Sequence, residues 1–552
     1  MASRTHRVIG AVALSLACGV AFSQNDLSEP TLYDFLLGEI ALQRGDLPLA
    51  AKTYLDLARR TRDPGIARRA VEVATQAREP ELALEAARTW HEIEPGSAHA
   101  LQVLAATLVA AKRVDEAGPV LEKLLSAEGV NRENAFMQLN RLLAANPDKA
   151  ANLRAIRGLA AKHPQLAQAH FAVAQAAAIA GDDQAAIAAA REAQKIRPDW
   201  ELAVLLEAQT LHKRSPPEAM KRLGQFVEKY PNSREARLNY ARMLALDKRF
   251  AEARQQFEAV AGTNPRNPEV IYAVGLLAFQ LKDYQAAEGY MKRVLGLNYR
   301  DPEGVRYLLG QIAEEQKLWP QAITWYETID AGEHLLPARM RTANALAKQG
   351  KLDEARAFLR RVAADNPGDG VQLTVAEAQL LRDASRHRDA FDLLSQALGK
   401  QPEQPDLLYD MALTAEKLER FDLLETHLRS LIRLRPDHAH AYNALGYSFA
   451  DRNTRLPEAR KLIEKALELA PEDYFIIDSM GWILYREGDL KGAARELRRA
   501  YDGRPDAEIG AHLGEVLWVS GQRDEARRIW DESLKSSPDN ETLQKTIKRL
   551  RK

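Results

Sequence analysis

AHAYNALGYSFADRNTRLPEARKLIEKALELAPED, residues 439–473, is followed by YFIIDSMGWILYREGDLKGAARELRRAYDGRPD, residues 474–506, and by AEIGAHLGEVLWVSGQRDEARRIWDESLKSSPDN, residues 507–540. Aligned, the three segments share a Gly at the eighth position (Gly446, Gly481, Gly514), an Ala about twelve residues on (Ala459, Ala493, Ala526) and a closing Pro (Pro471, Pro505, Pro538). A fixed period of about 34 residues marks a solenoid of helix-turn-helix units. Such a chain builds an extended surface, so its function is sought in what that surface holds.

Working outward, fifteen units fall on the pattern, from one starting near residue 31 to one starting near 507. Position 8 is small in most: Gly38, Ala105, Ala174, Ala241, Gly275, Gly310, Ala343, Ala378 and Ala412 precede the three glycines already named. Position 20 is Ala in most, from Ala50 and Ala83 to Ala526. These are the positions where two antiparallel helices come closest, and a large side chain there would force them apart. Position 24 is large and apolar (Tyr54, Leu121, Phe257, Met291, Tyr326, Leu359, Leu394, Leu428, Leu497, Trp530), sized to fill the gap the small residues leave. Turns such as Gly45-Asp46, Gly181-Asp182 and Gly488-Asp489 supply a left-handed helix ending and then a cap for the next helix.

These residues resemble the tetratricopeptide repeat, two helices in 34 residues, over residues 31 to about 540. The resemblance implies an all-α fold, a right-handed superhelical solenoid of about 15 helix-turn-helix repeats. Residues 24–131 are the N-terminal units and 167–538 the main array. The unit at 132–166 lacks the small residue of position 8 and reads as a degenerate repeat or a joint, with Pro147 near its second helix. Residues 539–552, with Lys545, Lys548 and Arg549, read as a polar capping helix.

Residues 1–23 read as a secretion signal. Arg4, His6 and Arg7 precede the short apolar run Val8–Ala17, and Ala21-Phe22-Ser23 has the small-x-small form of a cleavage site. The expected location is the periplasm. Cys18, the sole cysteine, offers an alternative: lipidation, giving an outer-membrane lipoprotein facing the periplasm. Ala17 and Gly19 fit a lipidation motif, whereas Ser15 stands where Leu is usual. Lys plus Arg and Asp plus Glu each total 77, and removing 1–23 takes away two Arg, leaving 75 against 77. That balance argues against a general binder of nucleic acid or anionic membrane.

No Walker A loop, HExxH, GxSxG or paired CxxC occurs, and only 18 residues follow Leu534. An enzyme is not expected, nor is a cofactor or a metal. His438-Ala439-His440, the one close histidine pair, reads as a cap or surface pair at a helix start.

What remains is surface. In this repeat family the first helix of each unit lines the concave face through positions 2, 5, 9 and 12. The resemblance therefore implies partner-binding candidates at Tyr272, Phe279, Tyr307, Tyr409, Asn443, Tyr447, Phe475, Asp478, Trp482, Tyr485 and Trp518. Aromatic rings with a few polar groups suit an extended peptide or a partner helix. Aromatics at helical spacing also fill cores, and that alternative stands beside the groove reading.

Tyr442–Arg452, Asp478–Arg486 and the opening Leu32–Ala41 further resemble a proteobacterial envelope group of such proteins, which includes the lipoprotein adaptor of a carboxy-terminal processing protease. The resemblance implies a non-catalytic adaptor that gathers a periplasmic protease and its substrates, cell-wall hydrolases among them. The alternative is a structural scaffold in an envelope polysaccharide-secretion or cell-wall synthesis complex.

Overall fold

The computed structural model describes residues 28–127 and 129–551, so the stretch read as an export signal and Cys18 lie outside the described residues. Among those residues there are 31 α-helices, numbered α1 to α31 in chain order, one short 3-10 turn (Pro367–Asp369) and no strand. Thirteen successive pairs of these helices pack closely on one another, and α31 (Glu541–Leu550) follows the last of them. The all-α repeat architecture implied by the 34-residue period is what the chain adopts.

Two compact halves divide at Lys282 and Asp283, in the turn between α15 (Pro268–Gln280) and α16 (Tyr284–Leu295). The N-terminal half has a continuous core from Ala41 to Ala186. The C-terminal half has its largest core from Ala378 to Leu543.

The turn within a pair has one recurring form. α2 (Leu47–Thr61) opens on Asp46, whose carboxylate accepts the Leu49 N–H at 3.3 Å; Asp489 does the same for Gly492 at 2.9 Å. Each cap satisfies one of the amides that a helix start leaves without a partner. The residue before the cap is left-handed: φ is 81° at Gly45 and 92° at Gly488. Lys112, Lys248 and Glu419 take the same conformation with φ of 56–62°, so the turn geometry overrides the residue's own preference.

The close approach of paired helices follows the expected positions. The small residues of positions 8 and 20 are buried, with Ala50, Ala174, Ala253, Ala343, Ala459, Ala493 and Ala526 at 0% exposure. The large residue of position 24 lies over the small one of position 8. A Cβ on Gly310 would run into the ring of Tyr326, and one on Gly514 into Trp530. In the unit at 132–166, where Leu139 stands at position 8, the pairing loosens. There α7 (Arg132–Leu143) lies mainly on α9 (Ala167–Ala180), and α8 (Lys149–Ala160) on α6 (Val114–Ser126) and α9, rather than on each other.

Gly446 is the sharpest test of this constraint. A Cβ there would stand 2.7 Å from Ile463 Cγ1 and 3.0 Å from the carbonyl oxygen of Ala459, which is backbone and cannot rotate away. Gly446→Ala should cost about 1–3 kcal/mol. Hydrogen exchange should then quicken in α25 (Ala439–Asp451), α26 (Leu456–Leu469) and their neighbours, and stay unchanged in the N-terminal half. Uniform acceleration along the chain would contradict this.

Candidate functional site: the first-helix face of the C-terminal half

Within the C-terminal half, several first helices of successive pairs also touch one another. Their shared face is concave. Tyr447 on α25 reaches past α27 (Tyr474–Arg486), its hydroxyl 3.4 Å from His512 Nε2 on α29 (Ala507–Val519).

A groove of about 730 Å³ crosses four first helices: α17 (Pro302–Glu315), α19 (Leu335–Lys348), α21 (Gly370–Asp383) and α23 (Pro405–Lys417). Tyr307 stands at one end and Tyr409 at the other, with Met340, Val375, Leu380 and Leu413 between them. Both arginines in its wall are paired, whereas Asp383 accepts only the Gln379 amide, at 2.6 Å. Arg341 Nε donates to Tyr307 Oη at 2.8 Å, and its guanidinium also pairs with Glu314. Arg382 pairs with Asp410 and donates to Thr414 Oγ1 at 3.0 Å. Tyr307 is held further by stacking on His334, with centroids 5.1 Å apart. Asn344 and Gln379 leave amide groups along the wall.

The remaining candidates separate by burial. Tyr409 is half-buried beside His438, and its hydroxyl is pushed up to about 12 by burial and by Asp410, Glu416 and Asp473. Asn443 is half-buried, and its Oδ1 is buried with no hydrogen-bond partner. Asp478 and Trp482 are buried at 6% and 4% exposure, so they support the face rather than present it. Tyr485 lies against Trp482 and donates to Glu515 Oε1 at 3.2 Å. Trp518 packs on Trp530, with Arg523 and Arg527 over its ring, and is a core-side residue. Phe475 is exposed beneath Arg504. Tyr272 and Phe279 are half-buried on α15 and belong to the N-terminal half. His438 is a cap: its Nδ1 accepts the Ala441 N–H at 3.1 Å.

The sequence reading missed His512, Arg341 and Arg382. His512 is the central one. It is 4% exposed, its Nδ1 lies 2.9 and 3.0 Å from the two oxygens of Asp478, and its ring stacks on Trp482 at 4.2 Å. One signal was available. Tyr307 and Arg341, Asp478 and His512, and Glu515 and Arg549 are each 34 residues apart, one period, and so stand level on neighbouring first helices.

A family model for the tetratricopeptide repeat matches residues 212–268, 272–334, 337–370, 409–474 and 479–541. The chain is 34% identical over 525 residues to a tetratricopeptide-repeat-containing protein of Pseudomonas aeruginosa, covering 95% of this chain and 88% of that one. It is a tetratricopeptide-repeat protein. A shorter match, 27% identical over 190 residues, links 33% of this repeat protein to 15% of cellulose synthase operon protein C of Pseudomonas fluorescens. Among solved structures, Naa15/Naa10 bound to HypK-THB aligns at 17% identity and a TM-score of 0.40, over 72% of this chain and 68% of that one. Tetratricopeptide repeats make protein-binding scaffolds.

The His512–Asp478 pair yields a pH dependence. Burial disfavours the imidazolium, but Asp478, with Glu508 and Glu515, outweighs it and raises the His512 pKa. A raised folded-state pKa contributes stability that is complete below the unfolded value, about 6.5, and lost as pH climbs through the folded one. The denaturation midpoint of the C-terminal half should therefore fall as pH rises above about 6.5, and the slope should flatten in His512→Gln. Equal slopes in the two proteins would assign the dependence elsewhere.

Proposed function

We propose that this tetratricopeptide-repeat protein is a non-catalytic adaptor of the cell envelope, and that an extended segment of a partner protein lies in the groove between Tyr307 and Tyr409. The observation that carries the reading is that groove itself: apolar along its floor, with Arg341 and Arg382 in its wall each paired to a carboxylate. Covering a charge that keeps its partner costs less than covering it alone. Four first helices at roughly 9 Å spacing span about 27 Å, enough for roughly eight extended residues. Tyr409 offers a rigid ring, and Asn443 stands half-buried beyond it.

The finer reading rests on the resemblance of Tyr442–Arg452 and Asp478–Arg486 to the envelope group. On it, the partners are a periplasmic processing protease and its substrates, including cell-wall hydrolases. The export signal at 1–23 supports a periplasmic protein, and Cys18 supports a lipid anchor as the alternative. A second reading, a structural part of a polysaccharide-secretion complex, draws on the partial likeness to cellulose synthase operon protein C.

Retention of proteins from the native envelope on residues 24–552, read by mass spectrometry, separates the two. A processing protease among the retained proteins supports the adaptor; polysaccharide-synthesis components without a protease favour the second reading. For the groove itself, Tyr409→Ala with Asn443→Ala should weaken the captured partner by about 2 kcal/mol, roughly 30-fold, with unchanged helical circular dichroism. Unchanged affinity would place the contact elsewhere.

A further inference from the structure

α1 (Glu29–Gln43), the first helix of the first unit, is apolar on two sides. Thr31, Gly38 and Ala41 are buried, Gly38 against the Tyr54 ring of α2. The opposite side carries Leu32, Leu36 and Ile40 at i, i+4 and i+8, with Tyr33 beside them. Leu32, Leu36 and Ile40 are 48%, 50% and 47% exposed, and Tyr33 is 66% exposed. Single exposed apolar residues are ordinary, but four on one helix face make a patch.

The repeat shows what kind of face this is. Tyr33 and Ile40 hold positions 3 and 10 of their unit. In inner units those positions are sealed: Val305 and Ile509 at position 3, and Ile312 and Val516 at position 10, are buried. The stacking of one unit on the next closes them. On α1 the same face has no unit laid over it among the described residues. The other end of the array differs. There the exposed residues of α31 are Glu541, Gln544, Lys545, Lys548 and Arg549, all polar. One end is finished for water, the other for a helix.

The charges of α1 favour one occupant. Asp34 pairs with Arg60, and Glu39 accepts the Tyr54 hydroxyl, so both are engaged with α2. Glu29 and Arg44, exposed at the two ends of the patch, form no ion pair among the described residues. A second α1 laid antiparallel supplies each with its complement. On a twofold axis between Leu36 and Leu37, Tyr33 of one copy faces Ile40 of the other, and Glu29 faces Arg44, each contact occurring twice. Antiparallel helices also oppose their dipoles. A lipid surface fits less well, because membrane-surface helices border the apolar face with Lys and Arg, whereas the charges within α1 are Glu29, Asp34 and Glu39.

We propose that α1 is a homotypic interface, through which two copies of this chain pair antiparallel by Leu32, Tyr33, Leu36 and Ile40. Each copy takes the place that a preceding repeat would hold on the other. The contact runs about 22 Å along the helix and buries on the order of 1,000 Å² in all, the low end for a specific interface, so the dimer is concentration-dependent.

Sedimentation velocity of the intact protein, over roughly 1 to 100 µM, tests it and should show the mass rising from one chain towards two. Leu36→Glu sets two carboxylates near the axis and should weaken the dimer at least tenfold. Glu29→Arg and Arg44→Glu each place like charges face to face and should weaken it roughly tenfold at low salt. An equimolar mixture of those two variants should recover the dimer, because each then meets its complement, which only contact between two chains can do. All three positions are exposed, so helical circular dichroism should be unaltered. A dimer indifferent to Leu36→Glu overturns the proposal, as does a mixture that stays monomeric. A protein that is monomeric throughout also overturns it, and flotation of that monomer with phosphatidylglycerol vesicles assigns the patch to lipid instead.

Discussion

Everything in this protein depends on how closely two helices of a pair can approach. A glycine or alanine at position 8 and an alanine at position 20 let the backbones come together, and the large side chain of position 24 closes over the gap. Gly514 under Trp530 and Gly310 under Tyr326 show why the two choices are coupled. The ring occupies the volume a Cβ would need, so neither residue can change alone. Where that coupling lapses, at Leu139 in the unit at 132–166, the paired helices turn to other neighbours instead.

Tight pairs have a second consequence. They set first helices side by side at a regular spacing, so residues one period apart come level. The polar contacts of the first-helix face use this regularity. Tyr307 meets Arg341, Asp478 meets His512, and Glu515 meets Arg549, each across 34 residues. Local repeats thereby generate cross-repeat bonds with no long loop to close, consistent with stability that adds up between neighbours.

The period made the fold legible because close packing is written in residue size, and size is visible in a sequence. The candidate site was only partly legible. Tyr307 and Tyr409 do reach one groove, as their register implied. Trp482 and Trp518 share the same helical spacing yet turn to the core side, Trp482 under His512 and Trp518 against Trp530. Periodicity gives the helix face a residue occupies, but burial depends on what the neighbouring repeat sets over it. His512 was missed for the same reason: alone it is one of 12 histidines, and its partner Asp478 becomes evident only when positions one period apart are compared. The division at Lys282 and Asp283 left no mark in the pattern, because it falls inside a unit that keeps its small residues at Gly275 and Ala287.

A repeat protein faces a problem of sameness: if every unit supplies the same positions, every stretch of its inner face should hold the same ligand. This chain departs from that through its charges. Along the groove from Tyr307 to Tyr409, Arg341 pairs with Glu314 and Arg382 with Asp410, and Asp383 keeps only the Gln379 amide. Beyond Tyr409, Glu416 on the same helix and Glu508 on α29 form no ion pair among the described residues, while Asp451 and Asp478 pair with Arg486 and His512. The total charge of the chain is zero, so this imbalance is a matter of placement rather than composition. A charge that already has a partner gains little from a ligand, whereas an unpaired one gains a new interaction, so identical backbones can present unlike surfaces.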